Sequence, residues 1–146
     1  DGDSVPDSEV DGLGAEELLA LHRSLVLLRT YDERSVVYHR QGRIGTYAID
    51  WNHEAIQAGS AFALEDGDWI FPSYREQGAW FWRDYTIQQF IDQLFGNVDD
   101  TIKGRQMPVH HTARAQTFVS ISTPVGTQIP QAVGTAMAAR TLGGER

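Results

Sequence analysis

Tyr74 and Arg75, inside "FPSYREQGAW" (71–80), are well suited to hold an anion. Arginine offers a planar fork of donors that matches phosphate oxygens. Tyrosine adds a hydroxyl, and the opening of a helix adds backbone amides. The competing reading is a surface ion pair of Arg75 with Glu76 or Asp84. A second chemically rich stretch is "STPVGTQIPQAVG" (122–134). Ser122, Thr127, Gln128 and the Pro124 carbonyl put hard oxygen atoms within a few residues, a set able to hold a hard cation or fix a polar heterocycle. Its competing reading is a loop capped by its own hydroxyls. His110 and His111 are adjacent, so on an extended chain they point to opposite faces and share no metal; spacing alone favours a solvated pair. "HEAIQ" (53–57) falls short of the zinc pattern H-E-x-x-H, because Gln57 stands where the second imidazole is needed. Gly12 and Gly14 begin a G-x-G, but Glu17 occupies the third glycine position of a dinucleotide loop.

Composition narrows the classes. The chain has 146 residues, 41% of them hydrophobic, enough for one domain with a core. A net charge of -8 argues against nucleic acid or an anionic membrane as the main partner. No apolar run approaches the ~20 residues that span a bilayer. The absence of cysteine excludes disulfides and cysteine–zinc sites, and makes an intracellular, cytoplasmic address the expectation. Of the twelve basic residues only Lys103 is a lysine, which suits a high-salt cytoplasm or simply an arginine-favouring genome.

These residues must be positioned by a mostly helical chain. Residues 1–14 are polar, acidic and glycine-rich, and read as a flexible leader. Leu18, Leu21, Leu25, Leu28 and Tyr31 recur at helical spacing, predicting a long amphipathic helix over 15–40 with Gly42 just beyond it. Residues 43–51 read as buried loop. Asn52 is placed to cap a helix over 53–63 whose narrow apolar face is Ala55, Ile56, Gly59 and Ala63. An extended piece at 69–71 stops at Pro72, and short helices fit 75–83 and 86–95. Residues 96–116 form a long loop of the kind that carries function. A short strand at 117–121 and a helix from about Thr127 to Leu142 follow. Small residues in that helix (Ala132, Ala136, Ala138, Ala139) would let another backbone approach closely.

Five blocks in order, "DERSVVYHRQGRIGTYA", "HEAIQAGSAFAL", "DWIFPSYREQGA", "GRQMPVHH" and "FVSISTPVGTQIPQAVGTAMAA", resemble the alpha subunit of thiamine-diphosphate-dependent 2-oxo acid dehydrogenases. That family includes the pyruvate, branched-chain 2-oxo acid and acetoin types; "GRQMPVH" and "TQIPQAVG" carry the branched-chain flavour. The resemblance implies an α/β thiamine-diphosphate-binding fold, a parallel sheet flanked by helices, of which this chain is the N-terminal, mostly helical part (15–146) with the sheet largely missing. It implies oxidative decarboxylation of a 2-oxo acid, with the acyl group passed to a lipoyl group. A beta subunit (α2β2) and a lipoyl-bearing acyltransferase are the implied partners.

Residue by residue, the resemblance places the cofactor's diphosphate on Tyr74 and Arg75. Thr123 and Val125 fall against the aminopyrimidine, and His110 near the cofactor as the catalytic candidate. Thr46 and Tyr47 wall the 2-oxo acid pocket. Ser122, Pro124, Thr127 and Gln128 match the potassium site of branched-chain members. Two departures stand out. Asn52 replaces the usual glycine, although asparagine also tolerates a left-handed backbone. The magnesium–diphosphate motif, a Gly-Asp-Gly followed by paired asparagines, is absent, so Mg2+ ligands are expected downstream on a longer subunit. A non-catalytic assembly domain, or another thiamine enzyme such as acetoin dehydrogenase or a transketolase-like half, are the rival readings.

Overall fold

A computed structural model describes residues 12–144; the expected leader therefore lies outside it as far as residue 11. The chain forms α1 (Ala15–Arg40), α2 (Glu54–Phe62), α3 (Gln77–Trp82), α4 (Ile87–Phe95) and α5 (Gln128–Thr141), with a 3-10 turn at Arg114–Gln116. In α1 the first amide is satisfied locally, Gly14 N donating to Glu17 Oε2 at 2.7 Å. The predicted apolar stripe enters the core only in the second half of the helix, where Leu28, Tyr31, Asp32 and Ser35 are buried. Two of those four are polar, and the site below depends on one of them.

The core is aromatic. Trp80 of α3 stacks on Phe118 with ring centroids 3.7 Å apart, and Phe90 of α4 lies against Tyr31, Phe81 and Tyr85. Each such ring removes a large apolar area from water and adds edge-to-face attraction. Helix α4 is bounded by chemistry read directly from sequence. Thr86 accepts from Gln89 N at 3.2 Å while Gln89 Oε1 accepts from Thr86 N, and Gly96 closes the helix at φ 62°. Helices α1, α2 and α3 meet at Gly78, where a Cβ would lie 2.8 Å from Leu28 Cδ2 and 3.0 Å from Gln57 Oε1. Only glycine fits that approach.

Three local expectations are corrected. The apolar face predicted for α2 points outward: Ala55, Ile56, Gly59 and Ala63 are exposed, and Glu54, Gln57, Ala58 and Ala61 are buried instead. Polar bonds turned the helix. Glu54 pairs with Arg29 at 2.5 Å, and Gln57 Oε1 accepts from Gly78 N at 2.6 Å. Asn52 is not the cap of α2; His53 is, and Asn52 takes the left-handed turn before it at φ 68°. The strand expected at 117–121 reduces to bridges, Phe118 meeting Ile70 in parallel and Ala113 antiparallel. Pro72 and the turn at Thr117 (φ 61°) leave too few extended residues for a ladder. In α5 no residue is buried and nothing lies within 4 Å of a Cβ built on Gly134, so the close approach that its small residues allow is open, not filled, among the described residues. Its small residues face an open cleft shared with Leu64, Trp69 and Phe71.

Candidate functional site

Four of the residues singled out from sequence form one continuous row. Arg75 lies over the Tyr74 ring, 5.7 Å from its centroid. Tyr74 stacks on His110 with centroids 6.1 Å apart and planes at 28°. His110 Nε2 is 2.9 Å from Thr123 Oγ1. Three separate stretches of chain are thus brought together, with polar tips of arginine, tyrosine, imidazole and threonine in sequence.

Each member is held from behind. Tyr74 and Arg75 sit in the turn before α3, where Glu76 accepts from Ser73 Oγ at 2.9 Å and from Arg75 N at 3.2 Å. Neither Glu76 nor Asp84 takes the guanidinium in an ion pair; Arg75 Nη1 donates to the Ile49 carbonyl. The surface ion-pair reading is therefore not realised, and the guanidinium is oriented by a neutral acceptor. The loop that carries His110 is pinned by α4: Gln93 Nε2 donates to Met107 O at 2.7 Å and Gln93 Oε1 accepts from Val109 N at 3.2 Å. Val109 is buried at φ 65°, an unfavourable conformation for a β-branched residue, held by this bracket immediately before His110.

The two histidines differ, and neither is solvated as spacing had favoured; His110 is 4% exposed and His111 1%. His110 Nδ1 lies 3.1 Å from the Pro108 carbonyl. A carbonyl only accepts, so in the neutral ring Nδ1 carries the proton and Nε2 accepts from the Thr123 hydroxyl. His111 is turned the other way, into a cage of Trp80, Tyr85 and Phe90, with both ring nitrogens unpartnered. Burial, aided by the neighbouring His110, pushes its pKa down to about 3.

The oxygen-rich loop stands at the N-terminus of α5. Thr127 Oγ1 donates to Pro124 O at 2.7 Å, and Thr127 N donates to the same carbonyl at 3.2 Å. This is the loop capped by its own hydroxyl, the competing reading, and it also brings two of the four expected ion ligands together. Ser122 and Gln128 are half-buried, and Val125 is 84% exposed. Thr46 and Tyr47 part company: Thr46 is exposed, whereas the Tyr47 hydroxyl donates to Asp32 Oδ1 at 2.8 Å.

Behind Arg75 lies a buried polar cluster that no sequence motif flagged. Asp50 N donates to Asp32 Oδ1 at 2.9 Å, and Gln57 Nε2 donates to Asp50 Oδ1 at 3.3 Å. Asp50 is fully buried with Oδ2 unpartnered. Burial first, then the negative charge of Asp32, pushes its pKa up to about 9, opposed by the Gln57 bond and Arg75. The available signal was an aspartate inside the apolar run "TYAIDW", and another at a core position of α1.

The model of one family, described as "Dehydrogenase E1 component", matches residues 22–146. The chain belongs to this E1 family. It is similar to the mitochondrial 2-oxoisovalerate dehydrogenase alpha subunits of Bos taurus and Mus musculus, each 45% identical over 145 residues. The corresponding subunit of Homo sapiens is 43% identical over the same length. These alignments take in 99% of this chain but 32–33% of the relatives, so the chain spans about a third of the length of the curated E1 proteins it matches. The cytoplasmic assignment is overturned: these E1 relatives are named as mitochondrial, and lack of cysteine does not separate the cytosol from other reducing compartments.

Proposed function

We propose that this chain contributes cofactor and substrate residues to a branched-chain 2-oxo acid dehydrogenase alpha subunit. The observation that carries the reading is the row Arg75–Tyr74–His110–Thr123. It joins an anion-binding fork, a stacking pair and an oriented hydroxyl, the groups that a diphosphate linked to a polar heterocycle requires. Arg75 and Tyr74 hold the diphosphate. Thr123 and Val125 face the aminopyrimidine, and His110 sets the Thr123 hydroxyl. Thiamine diphosphate, when bound, supplies a ring carbanion and a sink for the electrons left as carbon dioxide departs. Thr46 and Tyr47 wall the 2-oxo acid pocket, with the Tyr47 ring held in place by its bond to Asp32. Among the described residues no three His, Cys, Asp or Glu side chains gather as metal ligands; magnesium enters this proposal only as the diphosphate's counter-ion, with ligands outside them. A beta subunit completes the site in an α2β2 assembly, and a lipoyl-bearing acyltransferase receives the acyl group.

The test is carbon dioxide release by the full-length subunit assembled with its beta partner. 2-Oxoisovalerate is expected to be turned over with the higher kcat/KM, relative to pyruvate. A preference for pyruvate, or no decarboxylation of either, overturns the substrate assignment.

Potassium belongs to the same proposal, held by Ser122, the Pro124 carbonyl, Thr127 and Gln128. The 2.7 Å contact between Thr127 Oγ1 and Pro124 O brings two ligand oxygens together with lone pairs to spare. An ion bound only to the folded state must stabilise it, by about 2.7 kcal/mol at a hundredfold excess over Kd. The assembled enzyme is therefore expected to melt higher in potassium than in equal sodium, with the difference lost in Thr127→Val. Equal midpoints in the two salts rule the ion out.

A further inference from the structure

The Ile49–Asp50 peptide unit links Arg75 to the buried carboxylates. Its carbonyl, on Ile49, accepts from Arg75 Nη1; its N–H, on Asp50, donates to Asp32 Oδ1 at 2.9 Å. The same Asp32 oxygen accepts from the Tyr47 hydroxyl, so the carboxylate is anchored and holds the peptide with its carbonyl toward Arg75. The Asp50 side chain, one residue along, is tied through Gln57 to Gly78 N, near the start of α3 just past Arg75. Its second oxygen, Oδ2, is buried and unpartnered.

We propose that Asp50 is a positioning residue for Arg75: as a neutral acid it leaves the guanidinium free to meet a diphosphate, and on ionising it competes for that guanidinium and weakens diphosphate binding. This rests on the reading of Arg75 as the diphosphate ligand. The charge balance around Asp50 decides which form is present. Asp32 from α1 and Glu76 from the turn before α3 repel an anion there, Arg75 attracts one, and the buried hydroxyls of Tyr31 and Tyr47 stay protonated because burial pushes both upward. Burial and like charge prevail near neutrality, so the acid is neutral and Arg75 is held only by the Ile49 carbonyl and the Tyr74 ring. An ionised Asp50, one residue from that carbonyl in the chain and already felt electrostatically by Arg75, would attract the guanidinium more strongly than a neutral acceptor does.

The probe is inorganic diphosphate with magnesium, which has no thiazolium ring to suffer at alkaline pH. Its Kd is measured by calorimetry on the full-length assembled subunit, wild type and Asp50→Asn, from pH 7 to 9.5. Asparagine keeps the Gln57 contact and cannot ionise. The wild-type to Asp50→Asn ratio of Kd is expected near one at pH 7 and about four at pH 9.5, the inverse of the fraction of Asp50 still neutral when half-ionisation lies at about 9. A ratio that stays at one throughout, while Arg75→Ala still weakens diphosphate binding at pH 7, overturns the role of Asp50 alone. No effect of Arg75→Ala removes the diphosphate reading and this inference with it. Carboxyl 13C NMR of the wild type needs no variant: Asp50 titrating in the ordinary range near 4 overturns the proposal.

Discussion

Replacing Arg75 with alanine in the full-length assembled enzyme is expected to weaken thiamine diphosphate binding by about 1.5–3 kcal/mol, the range for hydrogen bonds to a charged group, or about 10- to 150-fold in Kd. The residue is half-buried, while the guanidinium's bond to the Ile49 carbonyl is solvent-exposed, so its remaining donors can be reached by a ligand. It is also preorganised. The Ile49 carbonyl fixes one nitrogen and the Tyr74 ring lies beneath the plane, which reduces the entropy lost when a phosphate docks. Alanine removes the charge and the fork together. Lysine restores a charge without the paired donors, so Arg75→Lys should recover part of the loss. An alanine variant that titrates like wild type removes Arg75 from the diphosphate site.

Why the turn that carries Arg75 could be read in sequence, while the contacts around it could not, follows from where the information lies. Helix α1 has the bounds expected from its leucine spacing, and α4 is set by Thr86, Gln89 and Gly96, all local signals. The setting of Tyr74 and Arg75, a proline turn running into the start of α3, was legible for the same reason, because its signals lie within ten residues. The inverted face of α2 was not legible. Hydrophobicity favours burying Ile56, yet Ile56 is 71% exposed and Gln57 is buried, because Gln57 finds Gly78 N and Asp50, partners too distant in sequence for a local pattern to show. The histidine pair failed likewise. Adjacent polar residues suggest solvent, but Trp80 of α3, Phe90 of α4 and Tyr85 from the turn between them enclose His111.

That enclosure sets the second large effect, on stability against pH. Two fully buried groups titrate abnormally and act in opposite directions. His111 is lowered from 6.5 to about 3, so below pH 6.5 the unfolded chain takes up a proton that the folded chain refuses. Its contribution is intact above 6.5 and is lost progressively down to about 3. Asp50 is raised from 3.8 to about 9, so above pH 3.8 the unfolded chain releases a proton that the folded chain keeps. Its contribution is intact below 3.8 and is lost as pH rises towards 9. Each slope is about 1.4 kcal/mol per pH unit at full effect. Between pH 4 and 6.5 the two nearly cancel, and the wild type is expected to show little dependence on pH from this pair. Single variants uncover them. His111→Leu keeps an apolar side chain in the cage and removes the histidine term, so relative to wild type its stability should improve by about 2 kcal/mol on going from pH 7 to pH 5. Asp50→Asn should shift by a similar amount in the other direction over the same interval. Urea unfolding of the full-length subunit at the two pH values, followed by tryptophan fluorescence, measures both, since Trp80 lies 5.7 Å from the His111 ring. Parallel pH profiles for His111→Leu and wild type would mean that His111 is protonated as readily in the folded chain as in the unfolded one, and that the aromatic cage does not exclude water.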